Sequence, residues 1–369
     1  VLKRPVSLKA QEVEARGREA LVAVLSGVRG LRLVSDAHPG RPTGTPSDPG
    51  YDFQEKVETQ GGQLWWLFAS AKSEGHPRHV RSAVWGLKRL GGRTDLGAPV
   101  YPLVIAPYLS EESIAICKDE DVGYLDLSGN CHLEFGGIHV HVEGKPNRYK
   151  ETRGIQTLFS PKASRVVRVL LQGPLRPHKV EKLASAADVS LGLVSKVRQN
   201  LLEREWVAET EDGIVVRKPD ALLDAWAEAD DWSKRTEVRE YSLLQNSPQE
   251  VASKVVSLLE GKKYAFTEWF GTFLRQPYTL PVLTTLYVKD FPDEEVLKQE
   301  LGARRVVGGG RLRLVRPADE GVFHFLQVIQ GRKVVCDVQL YLDVIAAGLR
   351  GDEAAEELRK AEDFSGGWK

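Results

Sequence analysis

The stretch from Ser160 to Pro219 constrains the fold more than any other part of the chain, because three helical periods and an alternating hairpin succeed one another with only turn-length gaps. "SPKASRVVRVLLQG" puts Val166, Val167, Val169, Leu170 and Leu171 inside and Arg165 and Arg168 outside. "HKVEKLASAAD" reads as a short second helix. Val189-Ser190 turns the chain, Ser190 is placed to cap, and "LGLVSKVRQNLLERE" gives a third helix. On it Leu193, Val197 and Leu201, joined by Val194, have core spacing. "WVAETEDGIVVRKP" follows as strand, turn at Asp212-Gly213, and strand.

That order is the one found in a winged helix-turn-helix, whose third helix enters the major groove of duplex DNA. With the apolar residues turned inward, Leu191, Gly192, Ser195, Lys196, Gln199 and Asn200 remain on the other face, Ser190 stands at its start and Arg198 at its edge. Arg165, Arg217 and Lys218 are further basic candidates for the same surface. The chain has 369 residues and no net charge, so a nucleic-acid contact has to come from a local patch. Between Arg153 and Lys218 twelve Lys and Arg stand against seven Asp and Glu, an excess of the kind phosphate binding needs. Glu209, Glu211 and Asp212 work against the hairpin as a phosphate contact. Winged helices also serve as protein-binding modules, and that is the alternative reading of the segment.

The first 145 residues alternate helix and strand. Residues 8 to 29 carry an apolar stripe through Val13, Ala20, Leu21 and Val24, and a loop with four prolines occupies 35–52. "DFQEKVETQGGQLWWLFASAK" reads as a hairpin around Gly61-Gly62. Its second strand, Leu64 to Ala71, is apolar on both faces and belongs at the centre of a sheet covered on both sides. A helix over 77–91, the strand "PVYPLVIAPY", a helix capped by Ser110, and "GYLDLSGNCHLEFGGIHVHVEG" complete a mixed α/β sheet, expected to be restriction-endonuclease-like.

Nucleases of the PD-(D/E)XK kind hold a divalent cation between two carboxylates and orient water with a lysine. Asp52 is the candidate first acid and Lys72 the lysine, but Ser70 stands where the second acid belongs. A neutral hydroxyl there takes one charge from the metal cage. A two-residue turn at Gly61-Gly62 adds a geometric objection, since it pairs Asp52 with Ala71 and points Lys72 to the opposite face. A longer loop or a bulge removes that objection, and Glu55, Glu74 and Glu19 are substitute acids. The expectation is a degenerate site without catalysis, with Arg78, His79 and Arg81 available for phosphates. A turn at Gly136-Gly137 puts His132, Glu134, His139 and His141 on one face, a set able to bind zinc. Any half-exposed hairpin shows the same alternation, and a solvated face without metal is the expectation. Asp126 and Asn130 read as a turn bonding its own backbone.

Beyond a polar linker at 145–154 and the segment above, "DALLDAWAEADDWSKRTEVREYSLL" reads as a charged helix or helix pair, and from about 245 an α/β pattern resumes. "KVVCDVQLYLDVIAA" reads as a strand running into a helix, with Gln339, Tyr341 and Asp343 on one strand face, Tyr341 packing and Asp343 capping the helix that follows. The expected fold class is α/β multidomain, with domains at 1–148, 153–240 and 245–369. Three cysteines without a C-x-x-C pair argue against a disulfide framework and fit a reducing cytosol. No apolar run approaches membrane-spanning length, and the opening residues lack the apolar core of a signal peptide. No cofactor is expected.

Together, "KSEGHPRHVRSA", "VIAPYLSEES", "GYLDLSGNCHLEF", "LFSPKASRVVRVLL", "DVSLGLVSKV", "VVCDVQLYLD" and "RGDEAAEEL" make most of the chain resemble the bacterial AbiEi-type transcriptional regulators, the antitoxin side of type IV toxin–antitoxin systems. The resemblance implies a nuclease-like domain, a winged helix and an α/β antitoxin-type domain. It implies a cytoplasmic regulator rather than an enzyme, binding double-stranded DNA as a homodimer and meeting a nucleotidyltransferase-like toxin. Members often carry E-x-K where this chain has Ser70-Ala71-Lys72, which counts against cleavage. The rival classes are a metal-dependent nuclease and a protein-binding antitoxin without DNA readout.

Overall fold

The computed structural model describes residues 8–34, 50–90, 96–149, 157–243, 247–348 and 350–368, and the Pro-rich positions 35–49 and linker positions 150–154 lie outside them. Contacts divide the chain into two units, residues 1–152 with 202–205, and residues 153–201 with 206–369. Both are mixed α/β.

In the first unit, helix α1 (Ala10–Ser26) precedes strands β1 (Leu31–Leu33), β2 (Phe53–Thr59) and β3 (Leu64–Ala71). Helix α2 (Pro77–Lys88), β4 (Val100–Ala106), α3 (Glu111–Asp119), β5 (Gly123–Asp126), β6 (Cys131–Phe135) and β7 (Ile138–Val142) follow. The strands lie in chain order, with β3, β4 and β5 parallel and the remaining neighbours antiparallel. Alternation along β3 explains its apolar character. Leu67, Ala69 and Ala71 join the core that holds Val13, Leu21 and Leu25 of α1, whereas Trp66 and Phe68 join the core that holds Val80 and Leu87 of α2 and Ile116 of α3. Each large side chain buried this way contributes about 1.5–3 kcal/mol. Gly17 lets α1 approach the sheet, because a Cβ there would stand 2.7 Å from the Ile105 side chain.

The β2–β3 hairpin turns over three residues, not two. Thr59 N–H donates to Gln63 O at 2.9 Å, and Gly62 takes the positive φ of 76° that such a loop needs. Phe53 therefore pairs with Ala69, and Asp52 stands opposite Ser70 rather than Ala71. The one-residue difference puts Asp52, Ser70 and Lys72 on the same face and removes the geometric objection raised by the shorter turn.

In the second unit, α4 (Pro161–Leu171), α5 (Val180–Ala187) and α6 (Leu191–Glu203) lead to the hairpin β8 (Val207–Thr210) and β9 (Gly213–Val216). His178 pairs its backbone with Ile214 as a short third strand. The hairpin tip is Glu211-Asp212, one residue earlier than expected, since Thr210 pairs with Gly213. Helices α7 (Pro219–Ala229) and α8 (Trp232–Arg235) connect to a second sheet. Its elements are β10 (Thr236–Ser242), α9 (Pro248–Leu258), β11 (Tyr264–Thr267), α10 (Glu268–Arg275), β12 (Thr284–Val288), α11 (Glu294–Leu301), β13 (Arg304–Val306) and β14 (Leu312–Pro317), followed by β15 (Gln327–Ile329), β16 (Arg332–Val334), α12 (Asp337–Ala346) and α13 (Gly351–Arg359). The strand order is β13-β10-β14-β12-β11-β16-β15.

Two readings of this unit are corrected. Thr236–Ser242, expected to be helical, is a strand between β13 and β14, and its charges are satisfied across the sheet, Glu240 by Arg313 at 2.7 Å and Glu237 by Arg316. A boundary at 240–245 therefore cuts through sheet structure. "DVQLYLD", expected to be a strand, is helix α12, with every residue from Asp337 to Val344 buried. Among the described residues no helix is long and apolar enough to cross a membrane. All three cysteines are buried and unpaired.

Candidate functional site

Helix α6 starts where expected: Ser190 Oγ accepts from Leu193 N–H at 3.3 Å. Val194, Val197 and Leu201 are buried as expected, and Leu193 is only partly so. Leu191, Gly192, Ser195, Lys196 and Gln199 are exposed, Arg198 and Asn200 half-buried. Leu191 exposes 52% of its surface. A Cβ at Gly192 would meet nothing within 4 Å, so the helix surface there is open. Ser195 Oγ donates back to Leu191 O at 3.0 Å.

The basic excess is smaller than composition suggests. Arg198 is paired with Glu209 of β8, so one basic edge residue is neutralised by the hairpin. Arg165, expected on the DNA side, is ion-paired with Asp319 at 2.8 Å and Asp188 at 3.1 Å, and Arg168 is buried. The sequence alone turns both outward because Asp319 and Gln339, which they bond, lie 154 and 171 residues away. Arg217 is exposed and Lys218 half-buried, at the hairpin's base, where their N–H groups donate to Trp206 O. Lys162, Arg176, Lys179, Lys182, Lys196 and Arg217 have no ion-pair partner among the described residues. Six cations, rather than the full twelve, are thus left to give the segment an unneutralised positive charge. Glu211 and Asp212 expose two negative charges at the hairpin tip.

In the first unit Asp52 Oδ2 accepts from Ser70 Oγ at 3.2 Å and from Ala71 N–H at 2.6 Å. The serine in the second-acid position thus holds the first acid. Lys72 continues the same face, its N–H bonded to Ile105 O at 2.8 Å. Two of the substitute acids are engaged elsewhere, Glu55 by Arg18 at 2.6 Å and Glu74 beside His76 at 3.9 Å and His79 at 3.8 Å, whereas Glu19 is exposed on α1. Arg78 is exposed, and burial holds His79 below its ordinary pKa. Arg81 is not free for phosphate, because Glu205 pairs with it at 2.9 Å. Asp126 closes its own turn, Oδ1 accepting from the N–H groups of Ser128, Gly129 and Asn130.

The histidine hairpin has the expected register, His132 opposite His141 and Glu134 opposite His139. The rings stand 5.4 to 6.3 Å apart centre to centre. Among the described residues no group of three or more His, Cys, Asp or Glu side chains converges as a metal site needs. Burial, then the neighbouring imidazoles, lower the His132 pKa. Burial also pushes the Cys117 and Cys131 thiols up to about 12, which removes them as nucleophiles near neutral pH.

A buried polar cluster was missed in the sequence. Asp343, fully buried, accepts from Thr267, from Gln339 Nε2 at 2.7 Å and from Tyr287 Oη at 3.2 Å, and pairs with Arg235 at 2.9 Å. It lies within α12 rather than capping the helix that follows. Tyr341 packs as expected, its hydroxyl donating to Glu356 at 3.1 Å. A charged residue inside an otherwise apolar run was the available signal. Comparison with protein-family models, curated proteins and solved structures finds no match for this chain.

Proposed function

We propose that the chain is a cytoplasmic, sequence-specific DNA-binding regulator in which residues 160–218 form a winged helix-turn-helix and α6 reads duplex DNA in the major groove. The observation that carries this reading is the exposed face of α6: Leu191, Gly192, Ser195, Lys196 and Gln199 lie outward from a serine-capped start, and Lys196 has no ion-pair partner among the described residues. Lys196 supplies a phosphate contact, Gln199 and Asn200 bond base edges, and Leu191 meets a thymine methyl. The paired Arg198 and the acidic tip make the hairpin a poor phosphate contact, so affinity rests on α6 and the unpaired lysines. Two-fold paired half-sites imply a homodimer. The resemblance to AbiEi-type regulators supports an antitoxin role beside a nucleotidyltransferase-like toxin, with the first unit a restriction-endonuclease-like domain that has lost catalysis. Titration of duplexes from the region upstream of its own gene against random duplexes tests the proposal; equal affinity for both removes sequence readout.

A second reading, a metal-dependent nuclease, is favoured by one observation: Asp52, Ser70 and Lys72 share a face. It has one carboxylate where the chemistry uses two. A protein-binding antitoxin that does not read DNA is the third, and no duplex shift at low salt would favour it.

A further inference from the structure

We propose that the cavity between α4, α7 and α12 binds a small aromatic carboxylate, with the Arg168 guanidinium as its anchor. The cavity measures about 380 Å³, within the ~300–1,000 Å³ of ordinary ligand pockets. Its apolar lining includes Phe159, Pro161, Val322 and Leu342. Trp226, also in the wall, is stacked on Phe159 at 5.5 Å with planes 8° apart, and the Arg168 guanidinium lies 5.2 Å from the Trp226 ring. The walls therefore suit a flat apolar body.

Arg168 gives the polar end. It is only 3% exposed, one terminal nitrogen donates to Gln339 Oε1, and its Nε–H has no hydrogen-bond partner. The acids around the cavity are committed to other cations, Asp230 to Arg235 at 2.7 Å, Asp231 to Lys234 at 2.6 Å and Asp319 to Arg165 at 2.8 Å. A buried guanidinium is costly unless it meets an anion with matching hydrogen bonds. A carboxylate matches the planar fork through two parallel N–H···O bonds, which an alcohol or amine cannot do. Burial also lowers the Arg168 pKa, the direction a directly paired carboxylate would reverse. The inference stands on the second unit alone and does not rest on the DNA-binding reading.

The test is calorimetric titration of the full chain with benzoate and indole-3-carboxylate, with benzamide as the neutral isostere. The expected result is binding of at least one carboxylate with benzamide at least ~10-fold weaker, and a similar loss in Arg168→Gln. Ser164 lines the same cavity and its hydroxyl is bonded to Pro161 O at 2.9 Å, so Ser164→Phe fills the space without removing the cation. It should abolish binding. Carboxylates that bind the unaltered protein no better than benzamide, or equally well in folded Ser164→Phe, would overturn the proposal.

Discussion

The hydroxyl of Ser70 donates to the carboxylate of Asp52 across the β2–β3 pair, 3.2 Å away. Asp52 is exposed and also held by Ala71 N–H, so Ser70→Ala should cost only about 1 kcal/mol in urea unfolding. With a hydroxyl where a metal cage needs charge, the purified protein should leave supercoiled plasmid intact in Mg²⁺ or Mn²⁺. Nicking that vanishes in Lys72→Ala would show that the site still works.

Asp343 is the one carboxylate that Thr267, Gln339, Tyr287 and Arg235 share. Asp343→Ala leaves Arg235 with Asp230 and the Tyr287 hydroxyl as partners and strips Thr267, Gln339 and Tyr287 of their shared acceptor. Unfolding should become easier by about 3 kcal/mol, near the lower end for a broken buried pair. An unchanged melting temperature combined with lost binding of another protein would mean that this side chain serves a protein contact rather than the fold.

His178 joins the β8–β9 hairpin through its backbone, and burial, with Arg176 nearby, holds its pKa below 6.5. The unfolded chain binds that proton more readily, so the folded state is favoured above 6.5 and this contribution is lost as pH falls toward the folded pKa. Melting temperatures taken between about pH 7.5 and 5.5 should fall more for the unaltered protein than for His178→Gln. Parallel curves would show that His178 stays neutral for another reason or does not matter.

Glu211 and Asp212 form the hairpin tip. If the hairpin lies near the DNA backbone, replacing both with Gln and Asn should raise affinity on every sequence alike, most at low salt. A variant that binds as tightly as the unaltered protein at every salt concentration would place the tip away from the duplex.

Much of this architecture is legible in the sequence, and the exceptions share physical causes. Alternation in β3 and the Gly136-Gly137 turn fix strands and register because one face of each strand meets a core. The Gly61-Gly62 hairpin differs by one residue because Gln60 also belongs to its loop, and only backbone pairing shows that. Helix α12 is buried all round, so no polar face marks its helical period. Strand β10 is charged at Glu237, Arg239 and Glu240, a helix-like surface pattern until Arg313 and Arg316 arrive from β14. Arg165 reads as a surface cation in the sequence because its partner Asp319 is 154 residues away. On α6, where burial decides the faces locally, most outward residues are readable from the sequence; Leu193, expected inside with Val194, and Asn200, expected outside, are both half-buried.

The most direct test of the central claim compares Lys196→Ala with Asn200→Ala on promoter-proximal and random duplexes over a range of salt. Lys196→Ala should lower the salt slope of log affinity by about 0.9 and weaken all duplexes alike. Asn200→Ala should cost about 1–3 kcal/mol on the preferred duplex and little on random DNA. If both folded variants bind every duplex as the unaltered protein does, α6 does not read DNA and the account of this protein as a winged-helix regulator fails.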